Sequence, residues 1–312
     1  MALQPTIFPG FVPDWSNLDV LHRNTLPPRA HFYTYGTPNA ALSYDREQSL
    51  YQSLNGTWKF RYEQCPFETS VGSANTSAWD FIEVPGMWQT QGYGNPHYTN
   101  FNFPFPVTAP NVSYINPTGT YFRDFEIPEP WSDHQIRLRF EGVDSAFHVY
   151  INGDEVGYSQ GSRNPSEFDI TPYLEVGSTN NVSVQVYQWS DATYIEDQDQ
   201  WWLSGIFRDV YLVPFHKNSV VDFEATPLVA DDFKSAVLNV NLKIQGTPQP
   251  LNLTLSHPNG TSLQQMPGNA TGSNELRVSG DDLVLWSAES PSLYTLLIGL
   301  HKSKGRIPEH RA

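Results

Sequence analysis

Cysteine is nearly absent: Cys65 stands alone among 312 residues. That excludes an intrachain disulfide and any Cys-rich zinc cluster. Positive charge is also scarce, with 18 Lys+Arg against 33 Asp+Glu and a formal net charge of −15. A chain without a cationic surface lacks the main source of nucleic-acid affinity, so DNA and RNA are excluded as partners. Charge of either sign amounts to 16% of the residues, below the roughly 25% of an average globular protein. No apolar run approaches the roughly 20 residues that span a bilayer as a helix, so no membrane partner is expected. Residues 1–11 lack the basic and long apolar regions of a secretory signal, which predicts a cytoplasmic protein. Seven Asn-x-Ser/Thr sequons, at Asn55, Asn75, Asn111, Asn181, Asn252, Asn259 and Asn269, are available only to a chain that enters the secretory route.

What the chain does hold is aromatic side chains (14%), 25 Pro and 21 Gly. Its length suits about two domains. Long helical periodicity is missing, whereas period-two alternation recurs. Ile136, Leu138 and Phe140 alternate with Arg137 and Arg139; Phe147, Val149 and Ile151 with His148 and Tyr150; Val182, Val184 and Val186 with Ser183, Gln185 and Tyr187. Each pattern predicts a strand with one buried face, and Asn152-Gly153 predicts a tight hairpin. The fold class read from this pattern is all-β. Residues 1–50, with Pro5, Pro9, Pro13, Pro27, Pro28 and Pro38, read as an extended N-terminal arm. Residues 51–215 read as one β-sandwich and 216–300 as a smaller immunoglobulin-like sandwich, followed by a divergent tail over 301–312.

Gly157-Tyr158-Ser159-Gln160-Gly161 matches the G-x-S-x-G elbow of serine hydrolases. The elbow requires a strand, a sharp turn and a helix, but this match ends a hairpin strand and runs toward Pro165. It is a decoy. No Walker, Rossmann or H-E-x-x-H pattern occurs, and the nine His show no metal-ligand spacing.

Two loops carry the chemistry. Residues 189–202 hold four carboxylates (Asp191, Glu196, Asp197, Asp199) among Trp189, Tyr194, Trp201 and Trp202. A pyranose presents an apolar C–H face that packs on aromatic rings and an edge of hydroxyls that donate to carboxylates. The same oxygens can ligate a hard cation. Residues 92–104 join aromatics with side-chain amides, which both donate to and accept from sugar hydroxyls. Either loop could instead be an aromatic-pinned surface turn. No pair of catalytic carboxylates can be picked from residues on one short segment.

Further motifs appear in order: Leu26-Pro27-Pro28-Arg29-Ala30-His31-Phe32, Leu54-Asn55-Gly56-Thr57-Trp58, Val84-Pro85-Gly86-Met87-Trp88-Gln89, Tyr98-Thr99-Asn100, Gly142-Val143-Asp144-Ser145, Glu196-Asp197-Gln198-Asp199 and Ser204-Gly205-Ile206-Phe207-Arg208-Asp209-Val210. From about residue 14 to about 300 the chain closely resembles the N-terminal part of the large β-galactosidases (lactases) of glycoside hydrolase family two, with a fungal-type Gln-Asp-Gln-Trp-Trp variant. The resemblance implies a jelly-roll, galactose-binding-like β-sandwich, then an immunoglobulin-like β-sandwich, then a catalytic (β/α)8 barrel. It implies that Asn100 contacts galactose, and that Asp199 contacts the galactosyl 6-hydroxyl and serves as one ligand of a sodium ion. The two catalytic glutamates, the magnesium ligands and the remaining sodium ligands lie on the family's barrel, which this chain does not reach. The 312 residues are therefore expected to be inactive alone, and the full-length enzyme to be a homo-oligomer. A stand-alone carbohydrate-binding module and a complementing interaction fragment are the alternatives.

Overall fold

The computed structural model describes residues 12–66, 71, 75–99, 101–196 and 198–300, and the backbone of 309–311. Pro5, Pro9, Asn100, Asp197 and most of the 301–312 tail lie outside the described residues. The chain is all-β and divides into two units: residues 1–28 with 52–213, and residues 29–51 with 214–312. No helix among the described residues is long and apolar enough to cross a membrane.

The first unit is the jelly-roll sandwich. Its larger sheet runs, in spatial order, His22–Arg23, Asp154–Gln160, Ala146–Ile151, Asn180–Tyr187, Thr118–Phe125, Gly56–Glu63 and Asp80–Val84. All of these neighbours are antiparallel. The facing sheet holds Ser166–Asp169, Gln135–Phe140, Val210–Phe215 and Gln52–Ser53. Alternation sets which side chains meet in the core. Val182, Val184 and Val186 stand opposite Ile151, Val149 and Phe147 in adjacent strands, and all six are buried with Trp58, Phe60, Tyr121, Leu138 and Phe168. Such β-branched and aromatic cross-strand pairs are what a pleated, buried face accommodates best. Asn152 and Gly153 both take positive φ (52° and 89°), the turn geometry that matches strand twist. Asn152 donates to the Tyr173 carbonyl at 3.0 Å and to Asn180 Oδ1 at 2.8 Å, which ties the hairpin to its neighbours.

The second face of these strands departs from the alternation. Arg137, Arg139, His148, Ser183, Gln185 and Tyr187 are buried as well. Ion pairing and hydrogen bonding compensate the lost water. Arg137 approaches Glu167 at 3.6 Å and Arg139 meets Glu141 at 2.7 Å. His148 contacts Asp14 at 3.1 Å and the Tyr187 hydroxyl at 2.8 Å. Here the cover is the N-terminal segment, whose Trp15 stacks on Tyr187 at 4.1 Å. A polar residue at an alternate position thus need not face solvent when a second layer supplies partners.

The second unit is the immunoglobulin-like sandwich. One sheet holds Ser219–Val229, Ser235–Gln245 and Asn274–Ser279. The other holds Ser262–Gly268, Leu251–Ser256, Thr295–Leu300, Glu309–Arg311 and Thr34–Tyr35. Leu251, Leu253, Leu255, Leu276, Ile298 and Val240 fill its core. Residues 29–51 add to this unit, with the Arg29 guanidinium over the Phe32 and Phe215 rings at 4.9 and 5.0 Å. Within that segment, Thr37 caps the short helix Pro38–Leu42 by accepting from the Ala40 N–H at 3.2 Å.

Candidate functional site

Gly157–Gly161 carries no elbow. Ser159 lies within the strand Asp154–Gln160, is buried, and shares a 2.9 Å hydrogen bond with Ser166. A Cβ on Gly157 would sit 2.2 Å from the Arg23 carbonyl oxygen, so the glycine serves the close approach of strand His22–Arg23. Among the described residues no group of three or more His, Cys, Asp or Glu could hold a metal ion.

Loop 189–202 leaves strand Asn180–Tyr187 and is fixed at its start by one buried amide. Asn116 donates to the Trp189 carbonyl and accepts from the Trp189 N–H, both at 2.8 Å. A capping box between Ser190 and Thr193 then opens a short 3-10 turn over Asp191–Tyr194. Trp189, Trp202 and Phe105 form a buried cluster, flanked by Phe103 and Tyr194, with Trp189 and Trp202 edge-to-face at 5.5 Å. This aromatic layer anchors the loop while leaving Trp201 exposed.

The carboxylates separate by environment. Asp191 is buried and accepts from the Gln160 amide at 2.8 Å; burial holds its carboxyl above the usual range. Glu196 accepts from the Ser162 N–H at 2.9 Å and the Ser162 hydroxyl at 2.6 Å, clamping the loop to residues 161–163. Asp197 lies outside the described residues. Asp199 alone of the three described is exposed, with a left-handed backbone (φ 58°), a region that Asp tolerates better than most residues.

The two loops singled out in the sequence meet. The Trp202 N–H donates to the His97 carbonyl at 2.7 Å, and the Trp202 indole N–H donates to the Thr99 hydroxyl at 2.8 Å. Between those two anchors, Tyr98 donates its hydroxyl to Asp199 Oδ1, and its ring lies 6.0 Å from that of Trp201. Asn100, next in the chain, is outside the described residues. Asp199, Tyr98 and Trp201 thus form a small exposed surface with a carboxylate beside two rings. Tyr98 stands inside the aromatic–amide stretch, but nothing in the sequence pairs it with Asp199.

Behind this surface lies a recess that sequence reasoning missed. Asp144 pairs with Arg163 at 2.7 Å and accepts from Ser162 at 3.2 Å. Asp144 and Arg163, together with Glu196, Gln200, Trp189 and Ser204, line a cavity of about 10 Å³, room for about one water molecule and not for a sugar. Burial pushes the Asp144 carboxyl up to about 6, outweighing the Arg163 guanidinium, and Glu196 adds to the rise. A carboxyl whose folded pKa exceeds its unfolded value of about 3.9 keeps its proton longer in the native state. Native protein then binds more protons than unfolded chain between about pH 4 and about pH 6, so this group's contribution to stability falls as pH rises through that window. Asp144→Asn is expected to flatten that fall. Urea unfolding of both proteins at pH 4 and pH 6.5 checks it, since an unchanged difference between the two pH values would remove Asp144 as the cause.

Comparison with known proteins follows the same division. Residues 51–216 match the family model described as glycosyl hydrolases family 2, sugar binding domain, and residues 218–311 match glycosyl hydrolases family 2. The chain is 40% identical over 281 residues to a β-galactosidase of Actinobacillus pleuropneumoniae, covering 90% of this chain and 27% of that protein. It is 36% identical over 320 residues to a β-galactosidase of Kluyveromyces lactis, covering 92% and 30%. The chain therefore spans about three-tenths of the length of the curated relatives it matches. Among solved structures, a β-glucuronidase of Ruminococcus gnavus aligns with a TM-score of 0.65 at 21% identity, covering 92% of this chain and 46% of that one. A Bacteroides uniformis β-glucuronidase aligns at 0.64 and 24%, covering 83% and 32%. At such identities these two speak to the fold alone.

Proposed function

Because the chain belongs to glycosyl hydrolase family 2, we propose that it is the N-terminal sugar-binding and immunoglobulin-like portion of a retaining β-galactosidase acting on terminal β-D-galactosides such as lactose. The observation that carries this reading is the exposed Asp199 carboxylate, held by Tyr98 where the two loops meet. In this reading Asp199 accepts a galactosyl hydroxyl, Asn100 adds an amide contact, and Trp201 with Tyr98 offers apolar surface to the sugar's C–H face. These groups bind and orient. The carboxyl pair that cleaves the glycosidic bond belongs to the catalytic barrel of the longer enzyme, and these 312 residues alone are inactive.

Sodium fits the donor chemistry of Asp199 in part. An ionised carboxylate has about four acceptor sites, and the Tyr98 hydroxyl occupies one. A hard cation takes several oxygen ligands; in this reading Asp199 supplies one and oxygens from the barrel complete the set. When bound, sodium supplies a positive charge that fixes the sugar hydroxyl. Magnesium is assigned to the barrel, and the full-length enzyme is read as a homo-oligomer.

Substrate choice tests the reading. The intact enzyme, with this portion continuous with its catalytic part, is expected to hydrolyse a nitrophenyl β-galactoside at least about a hundredfold faster than the β-glucuronide. Preference for the glucuronide would reject the galactoside assignment. A stand-alone binding module predicts something different for the 312 residues themselves, namely micromolar galactose affinity by calorimetry.

A further inference from the structure

Resting on the reading of Asp199 as a sugar contact, we propose that Tyr98 is a positioning residue for galactoside recognition, its hydroxyl fixing the Asp199 carboxylate toward the sugar's 6-hydroxyl. Asp199 is exposed and sits on a loop with a left-handed backbone. A side chain so placed samples several rotamers unless something holds it. Tyr98 supplies the hold, donating to Oδ1 and leaving acceptor sites on the carboxylate for a sugar hydroxyl. A charge-assisted hydrogen bond of this kind is among the stronger ones.

The tyrosine is itself held. His97 and Thr99 on either side are bonded to the backbone and the indole of Trp202, and Trp202 is buried against Trp189 and Phe105. The path from rigid core to exposed carboxylate therefore runs from Trp202 through the 97–99 backbone and the Tyr98 ring to Asp199. This is the arrangement by which a second residue makes a binding group precise on a loop. Tyr98 touches no reacting atom in this scheme; it acts through Asp199.

Tyr98→Phe keeps the ring beside Trp201 and removes only the donor. In the intact enzyme the informative pair of substrates is a nitrophenyl β-galactoside and its 6-deoxy counterpart, the β-D-fucoside, which has no 6-hydroxyl to present. Tyr98→Phe is expected to lower kcat/KM on the galactoside about tenfold while changing the fucoside less than about twofold, the effect of loosening one hydrogen bond to a charged group. Made on top of Asp199→Ala, the same substitution is expected to add nothing, because the carboxylate it orients is gone. Equal losses on both substrates, or losses that multiply in the double variant, would overturn the role. Thermal unfolding of the variant serves as a check, since a merely structural tyrosine would lower the midpoint and depress both substrates together. Should Asp199→Ala itself leave the galactoside-to-fucoside ratio unchanged, the sugar contact at Asp199 fails and this inference fails with it. A shifted ratio in Asp199→Ala with none in Tyr98→Phe rejects Tyr98 alone.

Discussion

Purified on their own, these 312 residues are expected to leave a chromogenic β-galactoside unhydrolysed, at least about a millionfold below the intact enzyme. Retaining hydrolysis needs two carboxyl groups about 5–5.5 Å apart across the sugar, one of them protonated at the working pH. Two of the three described carboxylates of loop 189–202 are engaged within the protein, Asp191 with Gln160 and Glu196 with Ser162, which leaves the exposed Asp199 without either of them as a partner across a sugar. Asp144, whose carboxyl is pushed up to about 6 with Glu196 beside it, is the candidate acid to weigh against this. Its recess of about 10 Å³ admits a water and not a pyranose. Turnover above a blank by the purified chain, abolished in Asp144→Asn, would show that this pair is competent and would sink the reading.

The second large effect is placed at Asp199. In the intact enzyme Asp199→Ala is expected to lower kcat/KM on a galactoside about a hundredfold, the order found when a charged group that a polar substrate atom requires is removed. The loss should come with a weakened response of the rate to sodium chloride measured against choline chloride. Asp191→Ala is the contrast. Its carboxylate is interior and bonded to Gln160, so its removal should register first as a lower unfolding midpoint, with kcat/KM changed far less. Equal kinetic losses at the two positions would place the sugar contact elsewhere.

How much of this was legible beforehand differs from residue to residue. Val182, Val184 and Val186 announced a buried strand face, and Asn152-Gly153 announced its hairpin, because side-chain alternation and positive φ are local properties. The burial of Arg137, Arg139 and His148 was not legible. For Arg137 and His148 it depends on Glu167 and Asp14, brought from other stretches of chain, while Arg139 pairs with Glu141 only two residues along. Residues 29–51 likewise read as one proline-rich stretch with what precedes them, whereas their packing on Phe215 places them with the second unit. The Gly157–Gly161 match shows the converse. Its letters were suggestive, and the strand context that disqualifies it was already visible in Pro165 and the hairpin turn.

Residue types and their order settled the all-β class, the two-sandwich plan, the family resemblance and the two loops rich in aromatics, amides and carboxylates. These follow from composition, from a two-residue period and from motifs read in order. The resemblance already pointed to Asp199, but why it stays open to a ligand while Asp191 and Glu196 do not was decided by tertiary structure. Asp191, Glu196 and Asp199 lie within nine residues of one another and are chemically near-equivalent as letters. Only the fold brings Gln160 to the first, Ser162 to the second, and Tyr98, from about a hundred residues earlier, to the third. A carboxylate's role depends on the donors and water around it, and those arrive from distant parts of the chain.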